Sequence, residues 1–116
     1  MGLANRALGA YGEDKVAGWY LAHGYEIVAR NWRCAAGELD LVCRSGSTLV
    51  FCEVKTRTSS AFGVPAEAVG FAKQRRLRKL ALAWLDSAAE RPRGLDMRFD
   101  VACVLAGKIE IIENAF

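Results

Sequence analysis

The chain has 116 residues, 53% of them hydrophobic, with two prolines and a net charge of +3 at pH 7. That length suits one domain, residues 1–116, with a modest two- or three-layer core, and the apolar content argues against disorder. The opening MGLANRALGA holds no long apolar run, so neither a signal peptide nor a membrane span is expected, and arginine at position 6 removes a myristoylation signal.

The mild positive excess permits nucleic-acid contact without requiring it. Its distribution is more telling: Lys73, Arg75, Arg76, Arg78 and Lys79 place five positive charges in seven residues with no acid among them. Four cysteines (34, 43, 52 and 103) without a CxxC pair, beside the single histidine His23, are poor material for a zinc site or a redox dithiol. Cys43, Cys52 and Cys103 lie in apolar runs and read as structural thiols, which points to a reducing cytoplasm.

In chain order, a first helix is expected over about 4–23, with Leu8, Val16, Trp19 and Tyr20 as a loose apolar stripe and His23-Gly24 at its end. YEIVARNWRC, 25–34, reads as a strand. The AAG turn leads into ELDLVCR, 38–44, where Leu39 and Leu41 alternate with Glu38, Asp40 and Val42. The SGS turn at 45–47 makes a hairpin of 38–44 and 48–57. After the loop TSSAFG, 58–63, and a short helical piece at Pro65–Val69, a long helix runs over about 71–90. It has Leu77, Leu80, Ala81, Trp84 and Leu85 on one face, and RPRG, 91–94, breaks it. MRFDVACVLA, 97–106, is a strand, and KIEIIE, 108–113, an edge strand.

The stretch VFCEVKTR, 50–57, carries the chemistry. Val50, Cys52 and Val54 fall on one side of the strand, and Phe51, Glu53, Lys55 and Arg57 on the other. Charges near a sheet centre are costly unless paired or metal-bound. Asp40, on the neighbouring strand, lies beside Glu53 if the register permits. Two close carboxylates repel unless something positive sits between them, and Mg²⁺ suits an all-oxygen site to which the Val54 carbonyl can add a third protein oxygen. Lys55 is then placed to steer a metal-activated water or neutralise a phosphorane-like transition state. The competing reading is a solvated strand end with surface ion pairs of little consequence.

The stretches AYGEDKVAGWYLAHGYEIVARNWRC, GELDLVCR, LVFCEVKTRTSSAFG and RFDVACV closely resemble the bacterial YraN-like (UPF0102) family, from about residue 10 to 113. That family is similar in fold to the PD-(D/E)xK nuclease superfamily, especially archaeal Holliday-junction resolvases. The resemblance implies an α/β, three-layer, restriction-endonuclease-like fold with a central mixed sheet flanked by helices. It also implies an endonuclease using Mg²⁺ or Mn²⁺ on DNA, including branched or repair intermediates. Carried over, the superfamily's metal-binding acid matches Asp40, its second acid Glu53, its lysine Lys55 and a first-helix acid Glu13, while Gln74 matches a helper glutamine. Glu38 stands two residues before Asp40, and Leu39 replaces the proline of the named motif. Branched DNA would suit a homodimer, because two cuts need two sites. The alternative is a non-catalytic nucleic-acid-binding protein that retains the fold; a third class is a structural partner, hinted at only by Ala61-Phe62.

Other residues divide between two roles. Arg57 is read as a phosphate contact or a carboxylate's partner, and Thr56 as structural. Asp100 is expected to pair with an arginine or accept backbone donors, with metal coordination the lesser reading. Lys73, Gln74, Arg75, Arg76, Arg78 and Lys79 form a solvated helix face or a phosphate-contacting ridge. His23 reads as a helix-end residue; Trp19, Trp32 and Trp84 read as packing, with stacking open for Trp32.

Overall fold

The computed structural model describes residues 3–57, 69–87 and 96–116, the first four of these as backbone alone. The 58–63 loop, most of the Pro65–Val69 piece, the 88–90 end of the long helix and the RPRG break lie outside the described residues. Among the described residues, two helices and five strands follow in the order α1 (Leu3–Ala22), β1 (Glu26–Cys34), β2 (Gly37–Ser45), β3 (Thr48–Arg57), α2 (Phe71–Ser87), β4 (Asp96–Leu105) and β5 (Lys108–Ile112). The strands form one mixed sheet in sequential order β1-β2-β3-β4-β5, flanked by the helices. Among the described strands only β3 and β4 run parallel, and the connection through α2 is the crossover that such a pair needs.

Among the described residues each sheet face is apolar and takes one helix. Val16, Ala17 and Tyr20 of α1 pack with Leu41, Cys43, Val50, Cys52, Ala102 and Val104. Leu77, Leu80, Ala81 and Trp84 of α2 pack with Leu39, Val42, Leu49, Phe51, Phe99 and Val101 on the opposite face. The central strands are therefore covered on both sides, which is why they read as nearly continuous apolar runs.

One expectation needs correction. Leu39 and Leu41 do not share a face: Leu39 belongs to the α2 side and Leu41 to the α1 side. Strict alternation therefore fails around Asp40. In β3, by contrast, Val50, Cys52 and Val54 do face α1 and Phe51 faces α2.

Asp100 is fully buried on β4 and accepts four hydrogen bonds: from the Tyr20 hydroxyl (2.6 Å), from Arg98 Nε and Nη2 (both 2.9 Å) and from the Asn114 backbone N–H (3.0 Å). The expected arginine pairing is thus realised, and both carboxylate oxygens are engaged by protein donors. Burial drives the Tyr20 phenol pKa upward, so it stays a neutral donor, while the hydrogen bonds to Asp100 hold Arg98 more firmly protonated than usual. All four cysteines are free, with Cys43 and Cys52 buried. Burial pushes the Cys43 thiol up to about 12, the behaviour of a packing residue rather than a nucleophile. No helix among the described residues is long and apolar enough to cross a membrane.

Candidate active site

The site begins where two strands part. β2 pairs with β3 from Ser45↔Thr48 to Leu41↔Cys52 and no further, while it stays paired with β1 as far as Cys34↔Gly37. Beyond Cys52, β3 has lost its neighbour on that side, and the Asp40 side chain enters the opening. Its Oδ2 accepts the Val54 backbone N–H at 2.9 Å, replacing a ladder hydrogen bond with a charge-assisted one. This also explains the failed alternation, since the chain departs from regular pairing at Asp40.

Glu53 lies one residue before Val54, only 7% exposed. Its Oε1 is approached by Lys55 Nζ at 3.5 Å and by Lys73 Nζ, from α2, at 3.3 Å. The opposed side contributes Glu13 of α1. Gly12 allows this approach: a Cβ there would collide with the Thr56 side chain near the end of β3. The helix thus sits close enough for the Glu13 charge to reach Asp40.

The electrostatics follow from the placement. Burial, then the neighbouring Glu53 charge, push the Asp40 carboxyl from 3.8 up to about 7. The Val54 hydrogen bond opposes that rise, and Glu13 and Glu38 add to it more weakly. Asp40 therefore feels three other carboxylates. Glu38 itself pairs with Arg33 at 3.2 Å.

The donor set around Asp40 and Glu53 is all carboxylate oxygen, which fits a hard divalent cation in chemistry. Among the described residues no group of three or more His, Cys, Asp or Glu is gathered closely enough to hold a metal ion. Two lysines supply the positive charge that Glu53 requires.

The remaining residues scatter. Arg57 lines a concavity of about 240 Å³ with Leu8, Gly9, Glu13, Val54 and Thr56, and its Nη1 donates to the Thr56 carbonyl at 3.3 Å. Gln74 donates its amide to the Val69 carbonyl at 3.0 Å, and so ties down the turn entering α2. Arg78 lies over the rings of Phe99 (5.0 Å) and Phe116 (5.4 Å). Arg75, Arg76 and Lys79 are exposed. His23 closes the end of α1 through Nδ1 and the Trp19 carbonyl at 2.7 Å, with the Trp19 ring stacked on it. Trp84 is buried, and Trp32 packs against the α2-side core.

Three partners were not legible as such in the sequence. Lys73 reads there as one phosphate contact among several, and nothing in its spacing signals Glu53. Gly12 could have been found from its place in a helix, where glycine costs about 1 kcal/mol and so needs a reason. Tyr20 reads as stripe material, its hydroxyl's partner being 80 residues away.

A model of the family described as "Uncharacterised protein family UPF0102" matches residues 12–104. A UPF0102 protein of Beutenbergia cavernae is 55% identical over 102 residues, covering 88% of this chain and 85% of its own. One from Rhodococcus jostii is 49% identical over 118 residues, with 97% and 98% covered. One from Geobacter metallireducens is 45% identical over 120 residues, with 100% and 97% covered.

Proposed function

The chain belongs to the UPF0102 family, and on that footing we propose that it is a Mg²⁺- or Mn²⁺-dependent endonuclease-like protein with a restriction-endonuclease-like fold, hydrolysing phosphodiester bonds in DNA. One observation carries the reading: Asp40 inserts its carboxylate between two strands, beside the buried Glu53, and is pushed up to about 7 by burial and that neighbour. A protein that only packed a sheet there would gain by placing apolar residues, since buried like charges are costly.

Asp40 and Glu53 would hold the cation, with the Val54 carbonyl as a further oxygen and Glu13 in reserve from α1. When bound, the cation lowers the pKa of water and offsets charge on the phosphoryl oxygens. Lys55, 3.5 Å from Glu53, would stabilise that developing charge or hold the attacking water. With Glu53 holding the cation, Lys73, now 3.3 Å from that carboxylate, would be available to a substrate phosphate. Arg57, Arg75, Arg76, Arg78 and Lys79 would position the backbone without reading sequence. Branched or repair intermediates are the substrate class, and a homodimer in the cytoplasm is the form that fits paired cuts.

A second reading has its own support. Lys55 and Lys73 both pair with Glu53. That neutralisation suits a nucleic-acid-binding protein that keeps the fold without cutting.

The test is cleavage of labelled duplex, single-stranded, flapped and four-way-junction DNA, with RNA alongside, in Mg²⁺, Mn²⁺ or EDTA. Metal-dependent cutting is expected, reduced at least about a hundredfold in Glu53→Gln/Lys55→Ala. A folded protein that cuts nothing in either metal hands the assignment to the binding reading.

A further inference from the structure

Phe71, the first residue of α2, is 83% exposed. A phenylalanine left in water forgoes about 2 kcal/mol of burial and contributes nothing to this core. Phe71, Gln74, Arg75 and Arg78 follow i, i+3, i+4, i+7 spacing, so they share one stripe of the helix. Together they line a broad concavity of about 590 Å³. The core-facing residues of α2 are Leu77, Leu80, Ala81 and Trp84, so the stripe lies outside the buried seam.

The arginines on this stripe differ in how they are held. Arg75 is exposed. The Arg78 guanidinium lies over the rings of Phe99 and Phe116. Stacking on aromatic faces restrains a guanidinium while its N–H donors radiate in its own plane, a suitable state for gripping a phosphate. Arg76 and Lys79 lie close by, and α2 carries no acid before Asp86. A bare polyanion would satisfy the cations and leave the ring idle. An exposed aromatic set among arginines suits a polyanion that also presents flat faces.

We infer that the Phe71–Gln74–Arg75–Arg78 stripe is a subsite for an unpaired nucleotide, with Phe71 stacking on the base and Arg75 and Arg78 taking the flanking phosphates. Bases in a duplex offer no free face, so the subsite selects substrates with a single-stranded segment. Lys73, two residues from Phe71, reaches Glu53 at 3.3 Å, so the first turn of α2 carries both the ring and, on another of its faces, a contact to the candidate site. In that respect alone the inference rests on the nuclease reading.

The experiment is fluorescence anisotropy in EDTA, where no metal-dependent cutting occurs, with a labelled single-stranded oligonucleotide and a blunt duplex of the same sequence. Phe71→Ala should weaken single-strand binding about tenfold and duplex binding less than about twofold, whereas Phe71→Trp should retain single-strand affinity. Arg75→Gln should weaken both and lower the salt slope by about one. Because Phe71 is exposed, circular dichroism and the melting temperature of each variant should match the parent. The inference is overturned if the parent fails to bind the single strand, or if Phe71→Ala affects both oligonucleotides alike or neither. It is equally overturned if sedimentation shows Phe71→Ala dissolving an oligomer while oligonucleotide affinity is unchanged, which would make Phe71 a contact between copies. A protein that discriminates through Phe71 yet cuts nothing keeps this subsite and loses the nuclease; one that cuts while Phe71→Ala binds normally does the reverse.

Discussion

The Val54 backbone N–H donates to Asp40 Oδ2 at 2.9 Å across the opening between β2 and β3. A side chain thus fills a place in the hydrogen-bond ladder, so its charge and its acceptor role are separable by substitution. Asp40→Asn keeps an acceptor and removes the charge; Asp40→Ala removes both. Denaturant unfolding at pH 8 should show Asp40→Asn more stable than the parent by about 1–3 kcal/mol. Asp40→Ala should lose much of that gain, because an unsatisfied buried N–H costs about 1–3 kcal/mol. Equal behaviour of the two variants would show that the hydrogen bond does not matter.

The pH dependence has a definite sign. The Asp40 carboxyl is raised from 3.8 to about 7 in the fold, so the folded state holds that proton more tightly than the unfolded chain. Its contribution to stability is complete below about pH 4 and is lost as pH rises through 7. The difference between parent and Asp40→Asn should therefore widen from pH 5 to pH 8. A constant difference across that window would contradict the assigned shift.

Divalent cation should reverse the loss. At pH 8, millimolar Mg²⁺ or Mn²⁺ should raise the parent's melting temperature by a few degrees through linkage to the folded state. Asp40→Asn and Glu53→Gln should each abolish most of that rise. Calcium-free and EDTA controls read the same quantity without any nucleic acid, and an equal rise in all three proteins would place the cation elsewhere.

The Asp100 hub should dominate the stability map. Asp100→Ala leaves Arg98 only Tyr25 and Glu113 and takes the acceptor from the Tyr20 hydroxyl and the Asn114 N–H, a loss of about 3–5 kcal/mol. Tyr20→Phe removes one donor and leaves Arg98 and Asn114 in place, so about 1–2 kcal/mol is expected. Equilibrium unfolding should rank the two in that order.

Gly12 makes a coupled prediction. Gly12→Ala gains helix propensity but meets the Thr56 side chain, for a net loss of about 1–3 kcal/mol. Adding Thr56→Ala should recover part of it. A double variant no better than the sum of the singles would refute the close approach of α1 to β3.

The readable parts of the fold and those that stayed hidden differ in range. The β2–β3 hairpin follows from the Ser45–Ser47 turn, and the burial of α2 from Leu77, Leu80, Ala81 and Trp84, because both signals are local. Glu53 and Asp40 stand out because charge in an apolar strand is locally anomalous. A shared face for Leu39 and Leu41 is what the sequence suggests wrongly, since a period of two assumes an unbroken ladder and β2 leaves β3 at Leu41. The Lys73–Glu53 and Tyr20–Asp100 pairs were hidden because each joins distant elements that no local pattern connects.

The parallel pairing of β3 with β4 has a kinetic consequence. The register runs unbroken from Thr48↔Asp96 to Arg57↔Leu105, so it can form only after the long connection between Arg57 and Asp96 has closed. The β1–β2–β3 meander needs only short turns and can assemble first. Asp40 and Glu53 both belong to that meander. A chain in which only that meander had formed would hold Glu53 with Lys55 alone beside it. The cationic start of α2 would then bring Lys73 as the second lysine on Glu53 only when the helix docks.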